Sequence, residues 1–290
     1  MIELIIINGL VYGGVYAVLT LGFSLVFGVA KLLNLAYTAY YMICGFIIFV
    51  LATILGVDLI PSIIVAILIT CLLGMISYEV CLARVKEHEV TVLIISVALA
   101  ILFQELFLLI FGGDYRRIPP FVTGFLEIAG VRVTYQHFIA IGICLITLIS
   151  VGLLLSKTKL GYAIRAVAQD REIANLMGIN VDRVYILTMV ISVALAGIAC
   201  AVVSPIFMVH PLMWVHSLII VLAAAVLGGL GSIRGSVIAA FILAFTEVAV
   251  VTLVPGGSFL RGAVSLGVMI MVLIVKPEGL FGIVFEEERL

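Results

Sequence analysis

The sequence predicts an all-α polytopic membrane protein, a single bundle of about eight or nine transmembrane helices. Of its 290 residues, 65% are hydrophobic and only 11% are charged, whereas soluble globular domains have about 25% charged residues. Nearly all the charges lie in short stretches between apolar runs. This composition excludes a soluble enzyme, a nucleic-acid-binding protein and a disordered scaffold. We interpret residues 1–290 as one transmembrane domain.

Nine apolar runs are long enough, or nearly long enough, to cross the hydrocarbon core, which takes about 20 helical residues. They occupy positions 4–30, 35–55, 60–82, 91–111, 136–156, 184–204, 214–229, 236–254 and 262–275. Continuous runs of this length predict helices and not the alternating strands of a barrel. The last three are short or interrupted by glycine, so we expect short, broken or re-entrant helices in the C-terminal third.

The basic residues predict an orientation in the plasma (inner) membrane, because cytoplasmic loops carry an excess of Lys and Arg. One orientation places eleven of the 15 basic residues inside: Lys31, Arg84, Lys86, Lys157, Lys159, Arg165, Arg171, Arg183, Arg234, Lys276 and Arg289. It leaves four outside: Arg116, Arg117, Arg132 and Arg261. The N-terminus is then outside and the C-terminus cytoplasmic, which requires an odd number of crossings and favours nine.

The first run carries a polar residue at every fourth position: Asn8, Tyr12, Tyr16, Thr20 and Ser24. Residues four apart lie on one face of a helix, and such a polar face is unfavourable in lipid. It either forms hydrogen bonds with neighbouring helices or lines a path for a polar solute, and both alternatives stay open. Beside it, Gly9, Gly13 and Ala17 form a small-residue surface on which another helix can pack closely.

Two carboxylates, Glu105 in ILFQELFLL and Glu247 in AFTEVAVV, lie inside apolar runs. An unpaired charge there costs about 2.5 to 3.5 kcal/mol on insertion scales, so each must be paired, protonated or exposed to water. Under the predicted orientation both lie in the outer half of their helices, where they can contact an ammonium group arriving from outside. Hydrogen bonding to partner helices or to another subunit is the alternative.

The predicted cytoplasmic stretch 157–183 contains LGYAIRAVAQDREIANLMGI, which has the amphipathic pattern of a helix. Its apolar side is predicted to carry Ala163, Ile164, Val167, Ala174 and Leu176. Its polar side is predicted to carry Arg165, Gln169 and Glu172. We expect Gly178 to end this helix and Asn180 or Asp182 to cap the next one. A surface helix of this kind suits docking into another protein; the alternative is a helix lying on lipid.

The chain contains no GxxxxGK[ST] phosphate-binding loop and no metal-type cysteine spacing. We therefore expect no catalytic residue, no metal site and no cofactor in this chain. Any ATP with Mg²⁺ is expected in separate subunits.

Several segments together resemble the permeases of branched-chain amino-acid ABC importers, in particular the shorter, H-type permease. They are GYAIRAVAQDREIANLMGINVDRV (161–184), ALAGIAC (194–200), LGGLGSIRGSVIAA (227–240) and KPEGLFG (276–282). The opening NGLVYGGVYAVLTLGFSLVFGV (8–29) and Asn34 extend the resemblance over nearly the whole chain.

The resemblance implies an importer with a second, M-type permease, two ATPase subunits and an external substrate-binding protein. It implies leucine, isoleucine and valine as the main substrates, with relatives that carry other amino acids, urea or short amides. It also implies that 161–178 couples the permease to the ATPase. The residues that match this segment are Arg165, Ala166, Asp170, Ala174 and Gly178, and we assign Gln169 and Glu172 to the same surface.

One motif departs from the family pattern. Family members usually carry Asn-Phe-Ala-His-Gly after the first span, whereas this chain has Asn34-Leu35-Ala36-Tyr37-Thr38. A role of the family's His or Gly therefore cannot be transferred. A tyrosine can form a hydrogen bond, but it does not titrate near neutral pH.

We expect a permease subunit that forms part of a path for a small hydrophobic amino acid. The residues assigned to that path are Asn8, Tyr12, Tyr16, Thr20, Ser24, Asn34, Glu105 and Glu247. The alternatives are a urea or short-amide permease of the same family, and an ion-coupled secondary transporter that uses the glutamates as a proton relay.

Overall fold

The computed structural model describes residues 2–86, 88–128, 131–254 and 256–281. Within these residues, seven helices are long and apolar enough to cross a membrane, and two shorter apolar helices complete the nine predicted runs. The chain is therefore an all-α, multi-pass membrane protein, as its composition predicts. Arg289 and the last residue of the KPEGLFG motif lie outside the described residues. The two ends of the bundle are called outer and cytoplasmic below, after the predicted orientation.

The helices and strands follow in chain order: α1 (Ile2–Ala30), α2 (Tyr37–Phe49), α3 (Leu59–Ser77), α4 (Glu89–Phe111), β1 (Phe125–Ile128), β2 (Val131–Thr134), α5 (Tyr135–Lys157), α6 (Lys159–Gln169), α7 (Arg171–Leu176), α8 (Val181–Val203), α9 (Met213–Gly228), α10 (Ile233–Leu253) and α11 (Arg261–Val275). Single π-helical segments, Val50–Ile54 and Tyr78–Leu82, extend α2 and α3. A 3₁₀ turn, Gly257–Leu260, precedes α11.

The C-terminal third contains short helices, as the sequence predicts. α9 has 16 residues and α11 has 15. A helix of that length spans about 23 Å, less than the hydrocarbon thickness of about 30 Å. α10 is different, because its 21 residues form one continuous helix and not the short or broken helix that was expected.

The outer loops contain a small β-ribbon that the sequence analysis did not anticipate. β1 pairs with β2 in antiparallel register, with Phe125 opposite Thr134 and Leu126 opposite Val133. A second pairing joins the loop after α4 to the loop after α8, because Arg116 and Val209 exchange two backbone hydrogen bonds of 2.8 Å. The outer ends of α4 and α8 are thereby tied to one another.

The central helix of the bundle is α1, and it packs against α10, α8 and α5. Its small-residue surface receives α10, as predicted. A Cβ atom added to Gly9 would lie 2.5 Å from the Phe245 ring, and one added to Gly13 would lie 2.4 Å from the Phe241 ring. Both distances are far below van der Waals contact, so glycine is needed at these positions for α10 to approach.

The glycine-rich segment 228–235 connects α9 to α10 at the cytoplasmic end. A Cβ atom on Gly228 would lie 2.4 Å from the backbone carbon of Gly235, so these two helix ends touch backbone to backbone. Gly28 of α1 packs against Gly231 less tightly, because a Cβ atom on Gly28 would lie 3.5 Å from the Gly231 oxygen, an ordinary van der Waals contact. Gly229 and Gly231 have φ angles of 95° and 84°, which favour glycine. We call these five residues the glycine junction. Its packing role could not be derived from the glycine-rich sequence alone.

Tyr37, which replaces the family histidine, is buried against α1. Its hydroxyl donates a hydrogen bond to the backbone oxygen of Leu19 at 3.0 Å. A Cβ atom on Gly22 would lie 2.3 Å from that hydroxyl, so the glycine makes room for the tyrosine. The neighbouring Thr38 is also buried. In this chain, the two residues that differ from the family pattern, Tyr37 and Thr38, therefore have a packing role.

The cytoplasmic segment forms two helices, so the prediction of one amphipathic helix was wrong. α6 ends at Asp170, whose backbone is extended (φ −152°, ψ 116°). The Asp170 carboxylate accepts hydrogen bonds from the backbone N–H groups of Glu172 and Ile173 at 2.8 and 2.9 Å, which caps α7. Aspartate competes well for this N-cap position, and the cap interrupts the helix.

The caps predicted further along this segment are confirmed. Gly178 has φ 86° and follows the last turn of α7, and Asn180 caps α8 by accepting a hydrogen bond from Arg183 N–H at 3.0 Å. Ile164, Val167 and Ala174 are buried as predicted. Leu176 is not, since 86% of it is exposed.

Candidate functional site

Glu247 and Arg261 meet near the outer end of the bundle. Glu247 lies six residues before the end of α10, about 9 Å along the helix axis. Arg261 is the first residue of α11. Because a short connection joins these helices, the two charged side chains lie at a similar depth along the bundle. The Arg261 Nε atom lies 3.8 Å from Glu247 Oε1.

Four helices converge on the Glu247 carboxylate, which is only 2% exposed. The Tyr16 hydroxyl of α1 lies 3.3 and 3.2 Å from its two oxygens and donates to it. His216 Nε2 of α9 lies 3.9 Å from Oε1. The sequence predicts that this carboxylate needs a partner, and side chains of the same chain provide it.

Aromatic side chains line one side of the pair. The Arg261 guanidinium carbon lies 5.5 Å from the centroid of the Tyr12 ring, within the range of a cation–π contact. Tyr12 in turn contacts Tyr16 and Phe207, with ring centroids 5.8 and 5.2 Å away. We call Tyr12, Tyr16, His216, Glu247 and Arg261 the outer polar cluster.

The polar stripe of α1 divides into two parts. Its outer part, Tyr12 and Tyr16, belongs to the outer polar cluster. Its inner part contacts other helices, since the hydroxyls of Ser24 and Ser236 are 2.7 Å apart. Thr20 is fully buried, and its hydroxyl has no hydrogen-bond partner among the described residues. Asn8 is half-buried near the outer end.

Asn34 is buried at the start of α2, away from the outer polar cluster. Its side-chain oxygen accepts a hydrogen bond from the backbone N–H of Ala36 at 3.1 Å. Its amide nitrogen lies 3.6 Å from the sulfur of Met189. These contacts stabilise the turn that leads from α1 into α2.

Glu105 is not brought together with Glu247. It is exposed on α4, where its Oε1 accepts a hydrogen bond of 3.0 Å from Gln104 Nε2. Gln104 Oε1 accepts a bond of 2.8 Å from Trp214 Nε1. The first turn of α9 thus bonds through Trp214 to Gln104, the residue beside Glu105, and approaches Glu247 directly through His216.

The residues predicted to couple to an ATPase lie on α6 and α7. Of these, Arg165, Gln169, Asp170, Glu172 and Gly178 are exposed, Ala166 is half-buried, and Ala174 is buried. Four large apolar side chains in this segment are exposed, which the sequence analysis missed: Tyr162 (58%), Ile173 (59%), Leu176 (86%) and Met177 (80%). We call these four residues the apolar patch. Large exposed apolar side chains outside a membrane span are typical of a protein- or membrane-binding surface.

Sequence reasoning also missed Arg261 and His216 as members of the outer polar cluster. A signal was present for Arg261. Glu247 lies in the second half of one apolar run and Arg261 just before the next, and two consecutive helices that form a hairpin bring such positions close together. His216 had no such signal, because nothing in the sequence placed the start of α9 beside α10.

Residues 5–273 match the model of the family described as "Branched-chain amino acid transport system / permease component". The chain belongs to this family.

Its similar relatives include BraD of Pseudomonas aeruginosa, described as a high-affinity branched-chain amino acid transport system permease protein. The two are 28% identical, over 96% of this chain and 94% of the relative. LivH of Escherichia coli K12, with the same description, is 27% identical over 95% of this chain and 94% of the relative. A probable LivH of Methanocaldococcus jannaschii is 25% identical, over 97% and 93%.

A solved structure supports the fold. PsaBC from Streptococcus pneumoniae, in complex with a Fab, superposes with a TM-score of 0.55 over 93% of this chain and 91% of the other, at 15% identity. At this identity the likeness concerns the arrangement of helices and not the cargo.

Proposed function

We propose that this chain is a permease subunit of an ABC importer for branched-chain amino acids and that it forms part of their path through the membrane. The observation that carries the proposal is the family match, which extends over residues 5–273. The relatives that match almost end to end are described as branched-chain amino acid permeases. The chain itself performs no covalent chemistry; partner subunits hydrolyse ATP.

The partners are a second permease, two ATPase subunits and an external substrate-binding protein. The apolar patch supports docking of an ATPase on α6 and α7. Asp170 and Gly178 fix the shape of this segment, through the cap of α7 and the positive φ angle after it. In the proposed orientation, with the N-terminus outside and the C-terminus cytoplasmic, the patch faces the compartment that holds ATP.

The test of the function is uptake of radioactive leucine by proteoliposomes. The chain is reconstituted with the partner subunits that co-purify with it, with the external binding protein supplied outside and ATP inside. We expect uptake that requires ATP. Uptake by the chain alone would favour an ion-coupled secondary transporter, and uptake of urea or acetamide but not leucine would favour an amide permease.

The coupling role is tested by Asp170→Arg and Gly178→Pro. Both disturb the turn around α7, and we expect loss of ATPase co-purification and at least a tenfold fall in leucine uptake, with unchanged membrane insertion. Asp58→Arg is the matched control, because Asp58 is exposed in an outer loop and its side chain makes no cap hydrogen bond. Undiminished assembly and uptake in both variants would contradict the assignment.

A further inference from the structure

Arg261 is the partly exposed cation of the outer polar cluster. Its side chain is 33% exposed, whereas that of Glu247 is 3% exposed. The His216 side chain is 43% exposed, but an imidazole does not offer the planar pair of N–H donors that a guanidinium has. The Nε atom is buried and makes no hydrogen bond with the described residues. The exposed third therefore belongs to the other atoms of the side chain, among which only the two Nη groups can donate hydrogen bonds.

Glu247 is poorly placed to contact a solute directly. Both of its oxygens lie within hydrogen-bond distance of the Tyr16 hydroxyl, and the carboxylate is enclosed by four helices. Its charge is instead directed at Arg261, 3.8 Å away. A buried carboxylate of this kind holds a neighbouring guanidinium in position and offsets its charge.

We propose that Arg261 binds the α-carboxylate of the amino acid at the outer end of the path, and that Glu247 is its positioning residue. The inference rests on the proposed function and deepens it. A guanidinium offers a planar pair of N–H donors that matches a carboxylate, whereas an ammonium group does not. A solute that carries a carboxylate is thereby favoured over urea or a short amide.

The space beside Arg261 supports this assignment. Gly262 follows it at the start of α11, and a Cβ atom added there would meet no atom of the described chain within 4 Å. The chain therefore leaves open space at the residue next to Arg261.

The first experiment separates substrate binding from charge compensation. In the assembled importer, Arg261→Gln should lower leucine uptake about 10- to 100-fold, the loss expected for a charge-assisted contact. Arg117→Gln, in an exposed outer loop, is the control and should leave uptake unchanged. The double variant Glu247→Gln/Arg261→Gln removes both charges and keeps the interior neutral.

The double variant decides the outcome. If Arg261 contacts the substrate, the double variant stays as impaired as Arg261→Gln, and the KM for leucine rises with it. If Arg261 only compensates Glu247, the double variant recovers, and recovery to within about twofold of wild type overturns the proposal. Absence of leucine uptake by the wild-type importer would instead overturn the proposed function, so the two failures are distinguishable.

A second experiment does not depend on uptake. Gly262→Cys is introduced into a chain whose five native cysteines are replaced, and its modification by a charged methanethiosulfonate reagent is followed in the assembled importer. Millimolar leucine should slow the modification, whereas isoamylamine, which lacks the carboxylate, should not. In the Arg261→Gln background the protection by leucine should disappear. Equal protection by both compounds, or by neither, contradicts the proposal.

Discussion

The outer and cytoplasmic ends of the bundle use polar residues in opposite ways. At the outer end, Glu247 is buried and is held by side chains from three other helices. At the cytoplasmic end, charged side chains lie at the surface, as in the exposed ion pair of 2.6 Å between Lys86 and Asp182, while glycine backbones contact one another inside. Changes to polar side chains should therefore affect stability at the outer end and partner binding at the cytoplasmic end.

The largest loss of stability is expected at the glycine junction. Gly228→Ala places a Cβ atom 2.4 Å from the backbone of Gly235, where no side chain can move aside. We expect a loss of about 3 kcal/mol in the free energy of unfolding, measured as a fall in the thermal midpoint in detergent. Gly152→Ala in α5 is the control, because its Cβ meets nothing within 4 Å. A junction variant as stable as this control would show that the cytoplasmic end does not depend on backbone contact.

The next largest effect is expected for Tyr16→Phe at the outer end. The substitution keeps the ring and removes the hydroxyl that donates to Glu247. A hydrogen bond to a charged group contributes about 2 kcal/mol, and the thermal midpoint should fall accordingly. Tyr135→Phe, on the exposed start of α5, should change it by much less. If the two variants are equally stable, the outer cluster does not stabilise the bundle through Tyr16.

A smaller loss of stability is expected at Gly22, between the two ends of the bundle, and a second substitution should partly restore it. Gly22→Ala brings a Cβ atom to 2.3 Å from the Tyr37 hydroxyl and should cost about 1 to 2 kcal/mol. Tyr37→Phe removes that oxygen, so the double variant should recover part of the loss in thermal midpoint, while the Cβ atom stays 3.2 Å from the backbone oxygen of Ser192. Additive losses in the double variant would mean that the glycine is needed for another reason.

The smallest effect on stability is expected for Leu176→Glu. This side chain is 86% exposed, so the thermal midpoint should change by less than the equivalent of about 0.5 kcal/mol. The same substitution should nevertheless reduce ATPase co-purification at least tenfold, because it places a charge in the apolar patch. Val57→Glu, in the exposed loop before α3 at the other end of the bundle, is the control and should leave ATPase binding unchanged. Undiminished ATPase co-purification with Leu176→Glu would contradict the proposed surface.

The positions of the nine apolar helices could be predicted from the sequence, because a bilayer requires long apolar runs and few other folds contain them. The caps Gly178 and Asn180 were also predictable, since each is a local choice of residue. The break at Asp170 was not. An aspartate on the polar side of a helix and an aspartate that caps a new helix look alike in sequence, and only the backbone conformation distinguishes them.

The candidate site was predictable only in part. Glu247 was identified because a carboxylate in an apolar run must have a partner, but the sequence did not show which of Tyr16, His216 and Arg261 that partner was. Those contacts join residues up to 231 positions apart. Glu105 also lies in an apolar run, yet its side chain is on the exposed face of α4. Which face of a helix is buried depends on how the helices pack, and the sequence did not show this for α4 and α10.

The glycine junction limits how the bundle can change shape. Gly228 meets Gly235, and Gly28 lies beside Gly231, so no side chains of these residues separate α1 from the α9–α10 turn. Side chains therefore do not interlock at this contact and cannot slip to a new register. The three helices are expected to tilt as one body, with their inner ends as the pivot. Any alternation between open and closed states must then take place along other seams, and a small rotation at the pivot would become a larger displacement at Arg261, on the far side of the membrane.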